Sequence, residues 1–166
     1  MKAKGTERVQ AALEAAGLDV TIVRLEKSAR TAQLAADALG TALGSIVKSL
    51  VFLADGEPVL VLVAGDHRAD PDKLKNLLQA RRVMISDAER VRSETGFSVG
   101  GVPPIGHQRP LQTWIDSSLG RFETVYAAAG HPRAVFPIPF ELLVRITAGC
   151  VADVTKDPQS VQEGEK

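Results

Sequence analysis

Cysteine occurs once in these 166 residues, which excludes an intramolecular disulfide and fits a reducing compartment. Cys150 stands among Ala148, Gly149 and Val151, and reads as a small buried side chain rather than a nucleophile. An excess of charge is also missing. With 20 basic and 20 acidic residues the formal net charge is zero, so no global basic field draws in a nucleic-acid backbone. Any nucleic-acid contact then has to be local, to an end or a loop. Aromatic residues make up only 4% of the chain, and Trp114 and Tyr126 fall in strand patterns, where they read as core rather than as stacking platforms. No apolar run approaches ~18 residues, and Met1-Lys2-Ala3-Lys4 leads into a polar amphipathic segment, so a cytoplasmic protein outside the membrane is expected. Phosphate-loop, dinucleotide and Gly-x-Ser-x-Gly signatures are absent. His67, His107 and His131 lie in three separate loops without metal-ligand spacing, so neither a metal nor a cofactor is expected.

What is present is an ordinary globular composition, 45% hydrophobic and 24% charged, long enough for one domain and too short for two. That domain is expected over residues 1–156, with a polar tail over 157–166. A helix is predicted from Glu7 to Ala16 with Gly17 as its stop, a strand from Asp19 to Leu25, and an alanine-rich helix from Thr31 to Leu39 ending at Gly40. Two strands follow, Ser45–Leu53 and Pro58–Ala64, joined by Ala54-Asp55-Gly56-Glu57 as a hairpin turn. The second is almost wholly apolar, the mark of a strand buried on both faces. Asp70-Pro71 opens a helix to about Gln79, a short strand lies near Val83-Met84-Ile85, and Ser86-Asp87-Ala88-Glu89 reads as a capping box. Strands are expected near Gln112–Asp116, Thr124–Ala128 and Ala134–Ile138, then a helix from Pro139 to Ile146 with Gly149 at its end. Strands outnumber helices without strict βαβ alternation, so the fold class is α+β, a mixed and curled sheet flanked by helices.

Two segments carry chemistry. Lys48 sits in the middle of an apolar strand and shares a face with Ile46, Leu50 and Phe52. An ammonium left on an apolar face costs about 2 kcal/mol or more unless a partner or a wet pocket receives it. Two readings stand at this point: a snorkelling lysine at a solvated strand end, or a lysine projecting into a cleft to meet an anionic or carbonyl-bearing ligand. The second segment, Gly96 to His107, packs Gly100, Gly101 and Gly106 around Pro103 and Pro104. Its glycines suggest positive φ or close backbone approach, and its prolines stiffen the loop. The N–H groups of Gly100, Gly101, Val102, Ile105 and Gly106 remain to bind a phosphate or an oxyanion, unless the loop is only a structural turn. His107, directly after the loop, could touch a ligand or lie on the surface.

These pieces occur in an order that resembles the YbaK/ProX family of aminoacyl-tRNA deacylases, relatives of the editing insertion of bacterial prolyl-tRNA synthetase. The matching residues are Thr31-Ala32 with Ala35-Ala36 before Leu39-Gly40, then Ile46-Val47-Lys48-Ser49-Leu50-Val51-Phe52, then Val59–Val63 with Gly65-Asp66. Thr95-Gly96 leading into Gly100–Gly106 comes next, followed by Ala129-Gly130 and Pro139-Phe140-Glu141-Leu142-Leu143, so that the resemblance spans roughly residues 5–154. It implies a pseudo-barrel of mixed strands and metal-free hydrolysis of aminoacyl-tRNA esters. It implies the 3′ aminoacyl end of tRNA as partner, with prolyl-tRNA synthetase as a further one. Lys48 matches the family's lysine at the pocket mouth, which engages the terminal nucleotide, and Gly100 to Pro104 match the Gly-x-x-x-P loop whose backbone contacts the ester. The candidate site is therefore Lys48, Gly100 and Gly101 for catalysis, with Thr31, Ile46, Leu50, Val102, Pro103, Pro104, Gly106, His107 and Gly130 for substrate binding, and no metal ligand. Pro103 stands where relatives often carry serine, and Ala134-Val135-Phe136-Pro137 where they often place a polar residue facing the pocket; both departures weaken a cysteinyl-specific reading most. Alanyl, seryl or threonyl esters on proline tRNA are the foremost candidate substrates. The alternative is a non-catalytic module that holds the tRNA end or a nucleotide.

Overall fold

The chain reverses at Asp55-Gly56, where both residues take positive φ, 49° and 86°. That pair of angles makes the two-residue turn whose twist matches antiparallel strands. It joins β2 (Val47–Ala54) to β3 (Glu57–Ala64), and the Asp55 carboxylate accepts the backbone N–H groups of Arg81 and Arg82. From Val59 to Ala64 every residue of β3 is buried, as its continuous apolar run predicts. Alternation then sorts the strand between two cores. Leu60, Leu62 and Ala64 join the larger one, while Val59, Val61 and Val63 pack with Leu74 and Val154 on the other face. Each fully buried aliphatic side chain contributes roughly 1.5–3 kcal/mol.

The computed structural model describes residues 5–26 and 31–156, so the tail expected over 157–166 lies outside the described residues. Around the hairpin the order is α1 (Gly5–Ala15), β1 (Val23–Arg24), α2 (Ala32–Leu39), β2, β3, α3 (Pro71–Leu78), β4 (Val83–Ile85), α4 (Ala88–Thr95), β5 (Gln112–Asp116), β6 (Thr124–His131), β7 (Ala134–Pro139), α5 (Phe140–Thr147) and β8 (Cys150–Ala152). Two sheets result, a five-stranded one in the order β4-β2-β3-β5-β8 and a three-stranded one in the order β1-β7-β6. This is the expected α+β class with mixed pairing, since β5 joins β3 and β8 joins β5 in parallel. Among the described residues the two sheets do not close into a barrel; an isolated bridge from Ile46 to Tyr126 ties them. The larger core fills the space between them, with Val9 and Leu13 of α1 among its buried members.

Several local expectations are corrected. The strand expected over Asp19–Leu25 pairs only at Val23 and Arg24, against Val135 and Ala134, while Leu18, Val20 and Ile22 still pack on the core. The cap of α4 is Asp87 rather than Ser86, because the Asp87 carboxylate accepts the Arg90 N–H at 2.7 Å. At the end of α5 the left-handed residue is Ala148, at φ 52°. Gly149 is needed instead for space, since a Cβ there would lie 2.7 Å from Ile115 Cδ1. Cys150 is exposed, because it begins β8 at the outer edge of the large sheet.

Candidate functional site

β2 is covered on one flank by β3 along its whole length but reaches β4 on the other flank only from Phe52 to Ala54. The flank beside residues 46–50 is left to a cavity of about 330 Å³, which opens at the seam between the two sheets. β2 supplies Lys48, Ser49 and Leu50 to it, Ile46 just before that strand joins them, α2 supplies Thr31 at its cap, and the glycine loop supplies Gly100 and Val102. The far wall is Tyr126, Ala128, Ala134 and Val135 from the small sheet, so it is largely apolar. Thr31 is half engaged already, its hydroxyl accepting the Leu34 N–H at 3.1 Å as the helix cap.

Lys48 is half-buried, and its Nζ donates to the carbonyl of His67 just past the end of β3. Burial, first, and then the nearby Arg68 hold its pKa below the ordinary 10.5, against the pull of Asp66 and Asp116. Leu50 and Phe52 share its face and pack into the second core, whereas Ile46 packs against α2 through Ala35 and Ala36. The segment that holds Lys48 is itself fixed. Buried Asp116 accepts the Ala64 N–H at 3.0 Å, the Ser118 N–H at 2.9 Å and the Ser118 hydroxyl at 2.8 Å. With that hydroxyl proton committed, Ser118 Oγ accepts from His67 Nδ1 at 2.6 Å, which selects the Nδ1–H imidazole. Asp66 and Arg121 pair through both terminal guanidinium nitrogens, at 3.1 and 2.8 Å, and this holds the Asp66 carboxyl below its usual range.

The glycine loop divides between two sides. Gly100 has φ 93° and lines the cavity with Val102. Gly101 does not line it: its N–H donates to Ser98 O at 3.0 Å, so that amide is not free as expected. A Cβ on Gly101 would stand 3.0 Å from the His131 nitrogen, so its role is close approach rather than positive φ. Pro103 is buried and lines neither space. Pro104, Gly106 and His107 face a separate cavity of about 240 Å³. His107 is half-buried there, with Nε2 donating to Pro103 O at 2.6 Å, and its burial lowers its pKa below 6.5. Gly130 packs against Gly5 at φ 88°, inside an irregularity of β6 between Ala128 and His131.

That irregularity brings His131, expected in a loop separate from those of His67 and His107, to the cavity wall. Ser49 also went unremarked, yet it lines the cavity with its hydroxyl buried and unbonded. Alternation along β2 sets Ser49 on the face opposite Lys48, a polar residue between Val47 and Val51; nothing in the local sequence announced the irregularity. Among the described residues no group of three or more His, Cys, Asp or Glu side chains could hold a metal, and no helix is long and apolar enough to cross a membrane.

The family model for the aminoacyl-tRNA editing domain matches residues 26–146. YwhH of Bacillus subtilis, an uncharacterized protein, is 34% identical over 138 residues, covering 82% of this chain and 87% of its own. The proline–tRNA ligase of Bacillus licheniformis is 36% identical over 102 residues, 61% of this chain but only 18% of the ligase. A crystal structure described as that of a "putative trans-editing enzyme for prolyl tRNA synthetase" superposes with a TM-score of 0.88 at 40% identity, covering 95% of this chain and all of the other. Matched along most of its length in sequence and in backbone, the chain belongs to the aminoacyl-tRNA editing domain family.

Proposed function

We propose that this protein is a trans-editing deacylase that hydrolyses the ester of a mischarged tRNA, proline tRNA carrying a small amino acid such as alanine, serine, threonine or cysteine. The observation that carries this reading is the cavity that joins Lys48 of β2 to Gly100 of the loop between largely apolar walls. Its volume, about 330 Å³, lies at the lower end of ligand cavities, which run from about 300 to 1,000 Å³. In this reading Lys48 releases the His67 carbonyl and meets the terminal nucleotide at the mouth. The acyl group enters between Ile46, Tyr126 and Val135. Backbone amides of the loop at Gly100 and Val102 face the carbonyl oxygen as it gains charge, and one well-placed donor of that kind contributes about 3 kcal/mol. The attacking water is positioned rather than strongly activated, which suffices for an ester that is already reactive. A synthetase for proline is the expected partner, and the cytoplasm the expected place.

The experiment is a panel of alanyl-, seryl-, threonyl-, cysteinyl- and phenylalanyl-tRNA at equal concentration. Fast turnover of small acyl groups and exclusion of phenylalanyl are expected, because a small pocket discriminates by shape better than by attraction, one methylene contributing only ~1–3 kcal/mol. Binding of the tRNA end without turnover of any ester would assign the cavity to a non-catalytic module instead.

A further inference from the structure

The glycine loop has a problem of its own making. Pro103 and Pro104 bring no backbone N–H, so the segment cannot close on itself through main-chain bonds at its centre. His107 makes that closure with a side chain: Nε2 donates to Pro103 O at 2.6 Å, a span of four residues. The ring is also held. It meets Phe97 edge to face, centroids 6.4 Å apart at 85°, and Phe97 is itself buried beneath the Arg8 guanidinium at 4.3 Å. Arg8 Nη2 donates to Gly96 O at 2.5 Å. Both ends of the loop are pinned at buried Thr95, whose hydroxyl accepts the Phe97 N–H and whose carbonyl accepts the Gln108 N–H, each at 3.0 Å.

We propose that His107 is a positioning residue for deacylation: from the side of the loop away from the acyl cavity, its ring locks the loop so that Gly100 and Val102 present their backbone to the ester. It touches no substrate in this arrangement, since it faces the second cavity together with Gly106 and Pro104. The proposal rests on the editing function above, because the locked amides matter only if an ester is cleaved beside them.

The test compares wild type with His107→Phe, which keeps an edge-on aromatic and loses the donor, and His107→Gln, whose amide nitrogen reaches the place of Nε2. Two readouts are taken, steady-state deacylation of the best ester in the panel and amide hydrogen exchange over Gly100–Gly106. His107→Phe is expected to lower kcat on the order of 10- to 100-fold, the scale of an ångström of misplacement, with KM within about twofold. Its loop amides should exchange faster while the rest of the protein exchanges as before. His107→Gln should recover both readouts. If wild type cleaves no ester, the functional reading fails, and the exchange arm still decides whether His107 locks the loop. Unchanged exchange and kcat in His107→Phe would overturn the proposal. So would a glutamine variant as impaired as the phenylalanine one, or a fall in protection spread across the whole fold, because either would reduce His107 to packing.

Discussion

The ammonium of Lys48 donates to the main-chain carbonyl of His67, so a cation at the start of β2 is held by the first turn after β3. The hydrogen bond offsets part of the desolvation but supplies no counter-charge, and burial still depresses the lysine's pKa. Lys48→Met should therefore leave the melting temperature unchanged or raised while deacylation falls on the order of 100-fold or more, the scale for losing one key donor. Parallel melting curves and single-turnover rates check this. A variant that lost stability and activity together would mark Lys48 as structural.

Ser49 offers a second case in which stability and activity part. Its hydroxyl is buried without a partner in the free protein, a state that costs about 1–3 kcal/mol. Ser49→Ala is expected to stabilise the fold by about 1 kcal/mol and, because the residue lines the cavity, to slow hydrolysis. Denaturant midpoints alongside the ester panel measure both effects.

Gly101→Val should harm activity more than Gly120→Val. The new Cβ at residue 101 meets the backbone of His131 at 3.0–3.2 Å, and neither backbone can yield without moving the loop or the cavity wall. At residue 120 the nearest atom is the Phe140 ring at 3.3 Å, a side chain that can turn slightly. Overpacking of this kind costs about 1–3 kcal/mol. Rates of the two variants, normalised to the folded fraction, give the comparison. Equal losses would remove the loop from the site.

Acid should weaken the fold in two separate windows. Burial holds the folded His107 pKa below 6.5, so as pH falls past that value the unfolded chain takes up a proton before the folded one does. Stability is thus full above about 6.5 and declines as pH falls from there through the folded value. Asp66, depressed below 3.8 mainly by its hydrogen bond to Arg121, acts only lower, where its contribution is lost as pH falls from about 3.8 through the folded value. Urea titrations at a series of pH values should show a flatter upper window in His107→Gln and a flatter lower one in Asp66→Asn. Identical profiles for all three proteins would contradict both assignments.

Much of this was legible because it depends on neighbours in the chain. Asp55-Gly56 announces its turn, Asp70-Pro71 caps α3 as its chemistry demands, and the apolar run of β3 declares burial on both faces. Lys48 and Gly100 stood out for the same reason, each being an uncommon residue for its local setting. Features set by distant partners were not legible. β8 is three residues long and exists because β5 lies parallel beside it, so nothing near Cys150 signals a strand or its exposure. The irregularity of β6 that brings His131 to the cavity depends on the chain packing Gly130 against Gly5. Which side of the loop His107 occupies likewise depends on Phe97 and Arg8.

The placement of the cavity at a seam has a consequence for how its selectivity can change. One wall belongs to β2 in the large sheet and the other to β6 and β7 in the small one, and the bridge from Ile46 to Tyr126 ties the two. The gap between the walls is thus governed by how the buried side chains between the sheets, Leu62, Ala127 and Phe136 among them, space two semi-rigid bodies. On the proposed function, acyl preference would be a collective property, open to drift or redesign through core substitutions that never touch a substrate.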